Sequence, residues 1–217
     1  MISGTSLLEV LYLAIGVMIA LVAHEYAHAF AATQLGDQLP RQTGRLTLNP
    51  RPHVDPFGSL LLPAILLLPV LFTNPMFPIF AYGKPMQLNP WTLRRRDRDA
   101  VLITMAGPAA NLVLAFVFGG LLRLVGPTGE AANLLGACLL VTLYLAIFNI
   151  LPIPGLDGAK IAARFLSGRA KDVYVSMDQY IALFILVIFF IFNGPIFSLV
   201  HAVAGGVCHL AAGAANC

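Results

Sequence analysis

Val22 to Phe30 read VAHEYAHAF, in the middle of an apolar run that extends from roughly residue 6 to residue 35. Such a run exceeds the ~20 residues a helix needs to cross hydrocarbon. Membrane-embedded helices carry few ionisable groups, because each costs about 2.5–3.5 kcal/mol at mid-bilayer on insertion scales. Here His24, Glu25 and His28 fall within five positions. On a helix His24 and His28 are i and i+4, so their rings share one face and can converge on a single ion, with Glu25 beside them to handle protons. The bland alternative is a polar cluster that joins helices by hydrogen bonds.

The rest of the chain agrees with a membrane setting. Its 217 residues are 59% hydrophobic and 11% charged, with a mean hydropathy of +0.83. Further apolar runs lie at roughly 57 to 80, 100 to 122, 132 to 153 and 179 to 203. Four or five transmembrane helices fit this spacing, giving an all-α polytopic membrane protein. The first run has no cationic leader or small-residue cleavage site and continues into HEYAH, so it reads as a permanent span. One membrane-embedded domain, 1–217, is expected, with a core at 6–160 and an added helix at 179–203. A net charge of +3, with no basic patch interleaved with aromatics, argues against nucleic-acid binding. Of the three cysteines, Cys138 lies inside a run, while Cys208 and Cys217 could pair only on an oxidising side of the membrane.

Run 57 to 80 contains Pro63, Pro69, Pro75 and Pro78, which remove backbone donors that lipid cannot replace. If it spans, nine cations (Lys84, Arg94, Arg95, Arg96, Arg98, Lys160, Arg164, Arg169, Lys171) face four (Arg41, Arg45, Arg51, Arg123). If it is re-entrant, the first three of those four change sides and the split becomes twelve against one. The positive-inside rule favours the re-entrant form, with both termini outside and residues 36 to 99 and 154 to 178 in the cytoplasm. That form also brings the ends of the first and fourth runs to one face. Around it, Arg45 to Leu48 alternate polar and apolar, and YGKPMQLNP follows residue 80, so a small β-sheet at the membrane surface is expected. Asn193-Gly194-Pro195 should bend or end the last helix.

A catalytic zinc site needs three protein ligands and one open position. Asp157 is the candidate third ligand, in FNILPIPGLDGAK, where Pro152, Pro154, Gly155 and Gly158 interrupt the fourth helix at the membrane boundary. An Asp before Gly is also an ordinary turn former. Asn149 could donate to a developing oxyanion or hold a substrate strand, or could simply bond a neighbouring helix. Asn111 reads as an interhelical hydrogen bond, with Gly107 and Ala110 allowing close approach. His53 and Asp55, in RPHVDPFG, fit a turn in which Asp55 accepts backbone bonds, or a gate in which His53 folds over the site.

HEYAH together with NILPIPGLDG resembles the metal motifs of the site-2 protease family of intramembrane zinc metalloproteases. MAGPAANL, Met105 to Leu112, is similar to the family's AGPxxN segment, and GRLTLNPRPHVDPFG with AYGKPMQLNP looks like its compact subgroup. No stretch suggests an inserted PDZ or CBS domain. One departure is GLDGAK, where relatives more often carry PLDGGR-like sequence. The resemblance covers roughly residues 20 to 160. It implies His24, His28 and Asp157 as ligands of one Zn2+ per chain and Glu25 as general base. It also implies cleavage of a single-span signalling protein or leftover signal peptide, trimmed first by another protease. A prokaryotic plasma membrane is expected, and the charge split puts the active site near the cytoplasmic face. A transporter relaying protons or metal through the same His, Glu and Asp is the rival reading, and an inactive scaffold that binds membrane segments is a third.

Overall fold

A computed structural model describes residues 7–65, 81–89, 91–190, 193–214 and 217. Among the described residues three helices are long and apolar enough to cross a membrane: α1 (Leu7–Gln34), α4 (Arg96–Val125) and α5 (Glu130–Ile150). They pack on one another and form the body of the molecule. In lipid no solvent drives helices together, so small residues at the seams decide how closely they approach. Ala20, Ala29 and Ala32 of α1 are fully buried. A Cβ built on Gly16 would lie 3.2 Å from Cys138 Cα of α5, so the α1–α5 crossing depends on a residue without a side chain.

α1 and α5 run parallel. At one end the Tyr12 hydroxyl donates to Glu130 Oε2 at 2.5 Å, and at the other the α1 histidines meet the segment that leaves α5. α4 runs the opposite way, stopping at Gly126, with Arg123 in its last turn. Arg123 Nη2 donates to Leu210 O at 2.7 Å, satisfying a free carbonyl at the end of α9 (Asn193–Ala212). Cys208 and Cys217 are disulfide-bonded at this same end.

Two helical stretches are described in the fifth apolar run. α8 covers Ile181–Phe190, and α9, described from Asn193, contains the Asn-Gly-Pro triplet. α9 lies along α4 and α5, with Ala115, Leu139, Leu143, Ala204 and Ala211 in the shared core. The Tyr144 hydroxyl sits 2.6 Å from His201 Nδ1, which gives that histidine a partner on α5.

The middle of run 57 to 80, residues 66–80, lies outside the described residues; its two ends do not. Asp55 caps α3 (Pro56–Leu61), a wide π-type turn, by accepting from Phe57 N at 3.0 Å and Gly58 N at 2.7 Å. Tyr82 N then donates to Gly58 O at 3.1 Å, and Lys84 N to His53 O at 2.8 Å. The chain at Tyr82–Lys84 therefore lies beside the chain at His53–Gly58.

The expected surface β-sheet is not there: no strand occurs among the described residues. Side chains take the backbone groups that a ladder would use. Arg45 Nη1 and Nη2 donate to Lys84 O and Pro85 O, at 3.0 and 3.1 Å. The buried Asp37 accepts from Asn89 N at 2.7 Å, and Pro85 has no N–H to offer. Segment 81–89 is consequently an extended lining held by an arginine and an aspartate. Thr47 N turns back to Arg45 O at 3.0 Å, so the 45–48 stretch is bent instead of straight.

Candidate metal centre

α1 presents His24 and His28 one turn apart on a buried face. The third group arrives from beyond α5. Leu151 to Leu156 close a series of tight turns, Leu151 N to Phe148 O, Ile153 N to Leu151 O and Leu156 N to Ile153 O, which return the chain toward the bundle. Asp178 accepts from Gly155 N at 2.7 Å and pins the loop. α6 (Asp157–Ala162) starts there, with Asp157 as its first residue. A Cβ on Gly158 would collide with the carbonyl groups of Ile150 and Leu151, so the return is this tight only with glycine after the aspartate.

The loop brings Asp157 Oδ2 to 2.9 Å from His24 Nε2 and 3.0 Å from His28 Nε2, and the two nitrogens lie 3.0 Å apart. All three residues are buried. Donors of a tetrahedral ion at about 2.0–2.1 Å would be about 3.3 Å from one another, so this triangle needs to open by only a few tenths of an ångström. Two features fit a metal better than a closed hydrogen-bond cluster. His28 Nδ1 donates to Ile103 O at 2.7 Å, which leaves the Nε2 lone pair facing the other two groups. Gly107 of α4 faces both rings: a Cβ there would lie 2.6 Å from His24 Nε2 and collide with His28 as well. The glycine keeps open the space in front of the two nitrogens.

Around this triangle is a cavity of about 180 Å³ lined by Glu25, Tyr82, Gly83, Asn149 and Lys160, among others. Gly83 is packed against Glu25, since a Cβ would lie 2.7 Å from Oε1, so segment 81–89 forms the wall facing the acid. Lys160 Nζ donates to the other oxygen of Asp157, Oδ1, at 2.9 Å. The carboxylate thus offers one oxygen to the triangle while the second is held by a cation.

The chain has curated relatives. It is 30% identical over 187 residues to "Putative zinc metalloprotease YwhC" of Bacillus subtilis, a match covering 82% of this chain and 80% of that protein. It is 31% identical over 207 residues to the similarly named Rip2 of Mycobacterium tuberculosis H37Rv, covering 93% of this chain and 76% of the relative. A shorter match, 43% over 60 residues and covering 27% of this chain and 31% of the relative, is to "Putative zinc metalloprotease MJ0611" of Methanocaldococcus jannaschii. The chain belongs to the site-2 protease family of zinc metalloproteases. No protein-family model and no solved structure matches it. Membership favours metalloprotease over transporter.

His24, Glu25, His28 and Asp157, the four residues of the two metal motifs, share one cavity, and Asn149 is in its lining. Asn149 Nδ2 donates to Leu145 O of its own helix at 2.8 Å, leaving its second amide hydrogen free. Asn111 is fully buried behind the site, with Nδ2 3.3 Å from His24 Nδ1. His53 is not among the lining residues; its buried ring donates Nε2–H to Thr47 O at 2.7 Å and fastens the turn. In the sequence Lys160 reads only as a topology cation, although a cation three residues after an aspartate at a helix start is a readable pairing. Gly107 was legible as a point of close helix approach but not as the roof of the site, because that needs the α1–α4 register.

Proposed function

We propose that this protein is an intramembrane zinc endopeptidase of the site-2 type, hydrolysing peptide bonds within or near transmembrane segments of other membrane proteins. The observation that carries the proposal is the buried His24, His28 and Asp157 triangle, inside a cavity bounded by apolar helices of membrane-spanning length. Those three residues would hold one zinc per chain. Zinc supplies a Lewis acid for the scissile carbonyl and acidifies water toward neutrality. Glu25 accepts a proton from the attacking water at a carboxylate oxygen and delivers it to the leaving amide nitrogen as the C–N bond breaks and the new C–O bond forms. Asn149, which lines the cavity with one amide hydrogen left over, would donate it to the developing oxyanion. Lys160 holds Asp157 Oδ1 and so keeps the carboxylate turned.

A transmembrane helix hides its carbonyls, so a substrate unwinds before cleavage. Segment 81–89 is the surface to receive it, because this extended chain runs along the cavity. The substrate class is a single-span protein already trimmed by another protease. The whole chain acts as one domain in a prokaryotic plasma membrane, both termini outside and the site near the cytoplasmic face, among lipids. In Glu25→Gln, cleavage of a generic transmembrane substrate in detergent should disappear while zinc content stays at the wild-type level. Retained cleavage would refute Glu25 as the base.

A further inference from the structure

The two histidines have their far nitrogens served by one helix. Ile103, Gly107 and Asn111 are i, i+4 and i+8 on α4 and therefore form one stripe. α4 is antiparallel to α1, so Ile103 meets His28, Gly107 lies before both rings, and Asn111 meets His24. For His28 the roles are fixed, because a backbone carbonyl can only accept. At His24 the partner is an amide with one accepting and one donating end.

With the nitrogen end toward the ring, Nδ2 donates to His24 Nδ1, and the neutral imidazole then carries its proton on Nε2, where it cannot ligate a metal. In that orientation Asn111 Oδ1 is buried without a hydrogen-bond partner. The two ends of an amide are interchangeable in shape. Turned over, the oxygen takes the nitrogen's place 3.3 Å from Nδ1 and accepts, which frees the Nε2 lone pair, while the amide nitrogen takes the buried place that Oδ1 held, so the choice of end rests on the histidine and not on a gained bond.

We propose that Asn111 is a positioning residue for His24: its side-chain carbonyl accepts the Nδ1 proton and so presents Nε2 to the metal, as the Ile103 carbonyl does for His28. This rests on the zinc reading of the site. It assigns a task to the asparagine of MAGPAANL beyond joining two helices, and it makes the α4 stripe the organiser of both imidazoles.

The test is zinc affinity, measured by chelator competition on the full chain purified in detergent, in the Glu25→Gln background so that activity plays no part. Asn111→Leu, which cannot accept, should bind zinc about 10–100-fold more weakly, the usual cost of losing such a partner. Asn111→Asp, which only accepts, should match the parent. A purely structural interhelical bond predicts instead that Asp, a buried charge facing a neighbouring helix, does as much harm as Leu. Should Asn111→Leu fail to fold, Asn111→Ala takes its place. The proposal falls if the Leu or Ala variant holds zinc as tightly as the parent, or if Asp loosens it equally. A parent that binds no zinc overturns the metal reading itself, and this inference with it.

Discussion

At the scale of single residues, the site is defined as much by what is missing as by what is present. The imidazoles and carboxylate were legible, because buried ionisable groups in an apolar helix are costly and HEYAH puts two of them on one face. Gly107 was not legible in that role, since nothing in MAGPAANL says which side chain it faces. Its position leads to a sharp expectation. Gly107→Ala should abolish zinc binding, as measured by metal content after purification, with helicity by circular dichroism unchanged, because the added methyl enters the space between the two Nε2 atoms. If the alanine variant retains full zinc, the ion does not sit between these rings.

At the scale of elements, the notable difference from the sequence expectation is segment 81–89. Alternation at 45–48 and the YGKPMQLNP stretch read as strands, and the periodicity is real. What periodicity does not reveal is that Arg45 and Asp37 satisfy the backbone of 84–89 from the side. The buried guanidinium makes two bonds to carbonyls, each of a kind worth about 1.5–3 kcal/mol. Arg45→Met should therefore release the segment. Hydrogen exchange at Lys84, bonded to His53 O, should accelerate markedly, and cleavage should fall while zinc content stays normal. Unchanged exchange would show that the segment is held by other contacts. The loop before Asp157 was better foreseen, since Pro152, Pro154, Gly155 and Gly158 cannot continue a helix. That it returns the aspartate to α1 needed the turns themselves.

At the scale of the whole molecule, charge and geometry agree. The ends of run 57 to 80 are neighbours, as Tyr82 N to Gly58 O and Lys84 N to His53 O require. The side that collects Arg45, Lys84 and the Arg94–Arg98 cluster is then also the side of the metal triangle, while Arg123 stands with the paired cysteines at the other end. The three long helices were readable from apolar length alone. How α9 lies was not legible, since it depends on Ala211 fitting against Gly119. Single cysteines introduced in place of Gly129 and Lys171, on a background without native cysteines, test the arrangement. In intact cells the first should react with an impermeant thiol reagent and the second should not. The opposite pattern would invert the proposed orientation.

The central claim is that residues from α1 and α6, 129 positions apart at the closest, grip one ion. X-ray absorption on the purified wild-type protein measures this directly. The account predicts about one zinc per chain, with two imidazole nitrogens and only oxygen otherwise in its shell, at about 2.0–2.2 Å. Absence of zinc, or a sulfur neighbour at about 2.3 Å, would contradict it.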